Sequence, residues 1–330
     1  MFAGLMLFLA VAASGAPRAA TPAVTIAAER LGQQPLLKPG AHPWAASGVF
    51  NPAAVMANGR TVLLFRARDA QGTSRIGYAD SVGGRHFHVA GEPVLEPEAP
   101  YEQGGGVEDP RVVRIRGTYY MTYTGYNLHA AQLCLATSRD LRHWRRLGVI
   151  LPAYQGTWNT GWTKSGAILR RRVNGRWWMY YLGTRRDPDG QQRDYMGIAS
   201  SADLRHWSDA TGKPVLDRRP GAFDSRVMEP GPPPIMTRAG ILLLYNGAND
   251  ALVYAPGWVL FDRKDPRRVL ARSDAPFIEP QLEWERAGTV PNVIFLEGAV
   301  ARGADPLSLT GYYGGADEYI GGMRIRISLR

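Results

Sequence analysis

The stretch YYMTYTG at residues 119–125 decides how this chain folds, because its pattern returns at four other places. The copies are VLLFRAR at 62–68, WWMYYLG at 177–183, ILLLYNG at 241–247 and LTGYYGG at 309–315. Their central aromatics, Phe65, Tyr123, Tyr181, Tyr245 and Tyr313, recur every 58 to 68 residues. A third strand follows in three copies, IGYADS at 76–81, LCLATS at 133–138 and MGIASS at 196–201. A first strand opens each unit, from Asn51, Asp109, Lys164, Gly231 and Glu297. Apolar residues alternate with period 2, and Gly or Pro interrupts every stretch that could otherwise become a helix. Five units of three strands, each with room for a fourth, predict an all-β fold, a five-bladed β-propeller. A two-sheet sandwich would not explain the five-fold period.

Composition agrees. The 330 residues include 38 Gly and 24 Pro, with 45% hydrophobic and 21% charged residues, which excludes disorder and suits many strands joined by tight turns. The formal charge of +10 is spread along the chain without a helix-turn-helix or zinc-finger spacing, so nucleic acid is not an expected partner. Cys134, the single cysteine, sits in an alternating strand and reads as core filler. The apolar run FAGLMLFLAVAA at 2–13, followed by small residues, reads as a secretory signal. The expectation is therefore a signal and flexible segment over 1–30, then one catalytic domain over 31–330. The protein would be periplasmic or secreted, or cytoplasmic if the start is mis-assigned. No later stretch is long and apolar enough to span a bilayer, so no membrane partner is expected.

Two near-identical segments, SRDLRHW at 138–144 and SADLRHW at 201–207, read as structural turns, since one active centre rarely needs the same group in two repeats. The informative residues lie instead at the starts of the first strands. GGGVEDPRV at 104–112 supplies Glu108, Asp109 and Arg111, and NTGWTKSGAI at 159–168 supplies Trp162 and Lys164. FDSRVMEPGPPPI at 223–235 supplies Arg226 and Glu229; YNGAND supplies Asn246; PNVIFLEGAV supplies Asn292 and Glu297; YYGGADEYIGG supplies Asp317. Acids and cations recurring at each unit's entry predict one polar axial pocket for a small ligand. Paired carboxylates between aromatic walls suit sugar chemistry, one protonating the leaving oxygen and the other activating water. No HExxH or Cys/His cluster is present, so neither a metal nor another cofactor is expected.

The ordered set NPAAV, LLFRAR, GVEDPRV, TKSGAI, EPGPPPI, LLLYNGA, VPNVIFLEGAV and GYYGGADEYIG, across residues 47–327, resembles glycoside hydrolase family 130. That family of β-mannoside phosphorylases and β-mannosidases is built on a five-bladed propeller. The resemblance implies Asp109 as general acid, with Asn51 and Asp317 holding the mannosyl unit. Arg66 and Lys164 fall where phosphorylases bind inorganic phosphate, with Tyr245 near the same group. Phosphorylases of the family read YHG where this chain has Tyr245, Asn246 and Gly247, and their GGGPPP-like entry becomes EPGPPP, which introduces Glu229. Loss of a histidine and gain of a carboxylate favour water as nucleophile, so the expected activity is inverting hydrolysis of β-mannosides with Glu229 as base. The alternatives are phosphorolysis, with inorganic phosphate as co-substrate and α-mannose 1-phosphate as product, and a non-catalytic glycan-binding propeller.

Overall fold

The computed structural model describes residues 24–329. Its strands form four sheets that divide into five antiparallel units, the first two joined in one sheet by a parallel pairing of Ser74 with Gly106. The first contains Gly48–Ala57, Arg60–Arg68, Ser74–Ser81 and His88–Val89, and the second Gly106–Ile115, Thr118–Tyr126, Ala131–Ser138 and Arg145–Leu151. The third contains Thr163–Ile168, Trp177–Arg186, Gln192–Ser201 and Ser208–Asp209. The fourth is Val227–Pro230 with Ile235–Met236, then Ile241–Ala248, Tyr254–Phe261 and Val269–Arg272. The fifth joins Ile294–Arg302, Asp305–Gly315 and Tyr319–Leu329 to Val24–Arg30. Among the described residues, the α-helical content is one turn, Glu283–Arg286.

The repeat has a physical cause. In four units the central aromatic pairs across the ladder with a glycine of the third strand: Phe65 with Gly77, Tyr181 with Gly197, Tyr245 with Gly257 and Tyr313 with Gly321. In the second unit Tyr123 pairs with Cys134, which is buried as expected and has its thiol pushed up to about 12 by burial. A Cβ at Gly197 would stand 2.5 Å from the Tyr181 ring, and one at Gly321 2.3 Å from Tyr313. The glycine thus makes room for the ring to lie over the neighbouring strand. The buried tyrosine hydroxyls then need acceptors, and each finds a carboxylate: Tyr123 donates to Glu102, Tyr181 to Asp209, Tyr245 to Asp224 and Tyr313 to Glu285.

The SxDLRHW segments are turns, as expected. Asp140 Oδ1 accepts from the backbone amides of Arg142 and His143, both at 2.9 Å, and Oδ2 lies 2.7 Å from His143 Nδ1. Asp203 and His206 repeat these contacts.

One expected boundary moves. Residues 24–30, assigned from sequence to a flexible N-terminal segment, form the outer strand of the fifth unit, in register from Val24 opposite Leu329 to Arg30 opposite Met323. Arg30 also forms a two-pronged ion pair with buried Glu285, both contacts at 2.7 Å. The signal-like run at 2–13 lies outside the described residues.

Candidate active site

The first strands of neighbouring units pack against one another. Gly48–Ala57 touches Gly106–Ile115 and Ile294–Arg302; Gly106–Ile115 touches Thr163–Ile168, which in turn touches Val227–Pro230. Their ladders are broken by register shifts at Phe50/Pro52, Glu108/Arg111, Lys164/Ala167 and Leu296/Gly298. Such bulges turn a side chain out of the regular alternation. Asn51, Asp109 and Ser165 sit at three of them with φ of 47°, 50° and 58°, a left-handed conformation unusual for residues other than glycine. Glu297 occupies the fourth.

Around the first strands lies a cavity of about 130 Å³ lined by Asn51, Arg66, Asp109, Lys164, Glu229 and Asp317, with Tyr254 and Phe295 among its walls. Six of the residues singled out from sequence therefore converge. Asn51 Nδ2 donates to Asp109 Oδ1 at 2.9 Å, and Arg66 Nη1 reaches the same oxygen at 3.4 Å. Arg66 also donates from Nη2 to Glu108 Oε1 at 2.6 Å and from Nε to Ser74 at 2.9 Å. Ser165 donates to Glu229 Oε1.

Burial pushes the Asp109 carboxyl up, but Arg66, Lys164, the Asn51 hydrogen bond and Arg111 together outweigh it and hold Asp109 below the usual carboxylate range. Burial raises Glu229 against the opposing pull of Lys164 and Arg111. Asp317 is pushed up to about 6 by burial, opposed by Arg66 and reinforced by the Asp109 charge. Lys164 is raised as well: burial disfavours its charge, yet Glu229, Asp109 and Glu108 together outweigh burial. Two cations thus hold Asp109 ionised while its carboxylate neighbours are biased toward their protons.

Other expected site residues stand behind the cavity. Glu108 is a buried partner of Arg66, not a wall. Arg111 is buried and ties the site together from behind, donating to Pro230 O at 2.7 Å and Asp109 O at 3.2 Å, with Glu297 Oε2 at 3.4 Å. Glu297 is fully buried, and neither of its carboxyl oxygens has a hydrogen-bond partner. Burial raises it well above the ordinary range. As a ligand-facing residue, Glu297 is corrected to a buttress of Arg111.

Tyr245 and Asn246 are corrected too. Tyr245 is one of the recurring tyrosines, fully buried on Asp224, with Arg272 Nε donating to its hydroxyl at 3.1 Å. Asn246 spends its amide on Leu296, donating to the carbonyl at 2.9 Å and accepting from the N–H at 2.8 Å. It stitches the fourth unit to the fifth and does not line the cavity. Arg226 and Asn292 are half-buried and also outside the lining, while Trp162 stands at the rim, its Nε1 donating to Tyr154 at 2.7 Å. Sequence reasoning missed Tyr254, Phe295 and Ser165, because ordinary strand residues carry no signal until the strand packing aims them inward.

A larger surface depression of about 760 Å³ lies between the two SxDLRHW turns, but its Asp140 and Asp203 are committed to capping backbone amides. Among the described residues no three metal-ligating side chains converge.

Comparison with known proteins places this cavity in context. The family model described as beta-1,4-mannooligosaccharide phosphorylase, that of glycoside hydrolase family 130, matches residues 33–328. The chain belongs to glycoside hydrolase family 130. It is 38% identical over 304 residues to a 1,2-beta-oligomannan phosphorylase of Thermoanaerobacter sp. (strain X514), covering 89% of this chain and 95% of the relative. A Listeria innocua beta-1,2-mannobiose phosphorylase solved with beta-1,2-mannobiose superposes with a TM-score of 0.79 at 26% identity, over 90% of this chain and 96% of that one. A structure solved in work on family hydrolases that target beta-1,2 mannosidic linkages in Candida mannan gives 0.79 at 34% identity, over 94% and 95% of the two chains. Phosphorylases of the family use inorganic phosphate as co-substrate and need no cofactor.

Proposed function

We propose that this protein is a β-mannoside phosphorylase acting on β-1,2-linked mannosides, with the five strand units forming the blades of a propeller around the site in one catalytic domain. The observation that carries the proposal is the convergence of Asp109 and the cations Arg66 and Lys164 in one small cavity. Alone, those cations keep Asp109 ionised, the wrong state for an acid. A phosphate dianion bound against them cancels their charge and lets burial raise Asp109 toward protonation. Binding of the nucleophile thus arms the acid. Phosphate oxygen attacks the anomeric carbon opposite the β-linkage, the glycosidic C–O bond breaks, and Asp109 gives its proton to the departing oxygen. The proton phosphate loses in forming the ester restores Asp109. The products are α-mannose 1-phosphate and a sugar one unit shorter.

This departs from the hydrolysis expected from sequence. That expectation leaned on Asn246 replacing a phosphate-binding histidine, yet the Asn246 amide is engaged with the Leu296 backbone away from the cavity. The relatives add weight: the Thermoanaerobacter and Listeria proteins are both named phosphorylases. Hydrolysis stays the second reading because Glu229 shares the cavity with Asp109, where an ionised Glu229 could take a proton from water.

The synthetic direction tests the proposal. Incubation with α-mannose 1-phosphate and mannose is expected to release inorganic phosphate and form a disaccharide. No phosphate release from an enzyme that still cleaves β-mannobiose to mannose would overturn it.

A further inference from the structure

The first strands, which carry the candidate active site near their starts, frame a second space at their far ends. A pocket of about 460 Å³ is lined there by all five units: Val55, Arg114, Leu169, Ile235 and Val300 each belong to or closely follow a first strand. The Pro232–Pro234 run of the EPGPPPI motif forms part of its wall, and proline has no N–H to offer a ligand. Buried Leu242, Leu244 and Leu309 add further apolar lining.

Three cations border this apolar hollow, Arg114, Arg170 and Arg171, and no acidic residue lines it. Elsewhere in the molecule arginines near buried carboxylates are matched with them, Arg66 with Glu108, Arg146 with Glu102 and Arg218 with Asp187. Arg114 instead lays its guanidinium over Tyr119, 5.3 Å from the ring centre, a face contact that uses none of its N–H donors. The protein around Arg170 disfavours its charge, and among the described residues no carboxylate offsets that cost.

We propose that this pocket binds a small amphipathic carboxylate, its apolar body among the leucine, valine and proline side chains and its charge on Arg114, Arg170 and Arg171. The volume falls within the roughly 300–1,000 Å³ of sites that enclose small molecules. A neutral sugar would leave the guanidiniums without a counter-charge, and a bare inorganic anion would leave the apolar wall in water. An amphipathic anion satisfies both. Leu242, Leu244, Val300 and Leu309 are recessed, which suits a dissolved molecule and not the flat face of a bilayer. The site is separate from the chemistry at Asp109 and stands whether phosphate or water is the nucleophile there.

Calorimetric titration with octanoate, acetate and octylamine separates the two halves of this recognition. One octanoate per chain is expected, bound roughly tenfold or more tighter than acetate, which lacks the apolar body, and than octylammonium, which lacks the negative charge. A protein carrying both Arg114→Gln and Arg170→Gln should keep the wild-type melting temperature and bind octanoate roughly tenfold or more weakly. Unaltered octanoate affinity in that variant would place the ligand elsewhere and overturn the inference. So would equal wild-type affinity for octanoate and octylammonium, or no saturable octanoate binding in the millimolar range.

Discussion

Asp109 meets opposing demands. Its bulge position and left-handed backbone place it at the cavity, while Arg66 and Lys164 favour its ionised form. Replacing it with Asn keeps the size and much of the hydrogen bonding with Asn51 but removes the transferable proton. Turnover of unactivated β-mannobiose is expected to fall ~10²–10⁴-fold with the melting temperature little changed, and an aryl mannoside with a good leaving group should lose much less. Near-wild-type turnover of the disaccharide would remove Asp109 from the reaction. Asp317 gives a second test, in stability. Its folded value of about 6 lies above the ordinary aspartate value of ~3.9, so ionising it costs more in the folded than in the unfolded state. Below the unfolded value the group is neutral in both states and imposes no penalty; the penalty grows as pH rises to the folded value and is then constant. Asp317→Asn should therefore raise stability by roughly 1–3 kcal/mol at pH 7, fading toward pH 4, while weakening sugar binding. Thermal melts across that range check the sign.

At the element scale, the five second strands were legible because alternation and a central aromatic survive in each copy, and every one of those segments lies within an observed strand. The bulges were not legible as bulges. A register shift depends on how two strands pair, and sequence supplies only the residue types, so Asp109 was found through its chemistry and Asn51 through the family resemblance, whereas Ser165 went unseen. Tyr245 shows the converse error. Proximity to a family motif suggested a phosphate contact, yet the same tyrosine recurs in the second, third and fifth units with its own carboxylate partner. Tyr245→Phe should accordingly cost about 0.5–2 kcal/mol of stability through the lost Asp224 bond, with KM for phosphate unchanged. A raised KM for phosphate at unaltered stability would return Tyr245 to the site.

For the whole molecule, the fifth unit is completed by the other end of the chain, with Val24–Arg30 as its outer strand. Sequence could not reveal this, since the pairing spans nearly the full length and the strand borders an apolar run that reads as a targeting segment. Removing residues 1–30 uncovers the edge of Tyr319–Leu329 and strips Glu285 of Arg30, and should produce a destabilised, aggregation-prone protein.

In the proposed reaction the cavity joins phosphate, not water, to the mannosyl unit. Following β-1,2-mannobiose by proton NMR, with and without inorganic phosphate, tests it most directly. The expected result is α-mannose 1-phosphate and mannose in equal amounts, formed only when phosphate is present. Mannose accumulating at the same rate without phosphate, and lost on Glu229→Gln, would contradict it and assign the nucleophile to water.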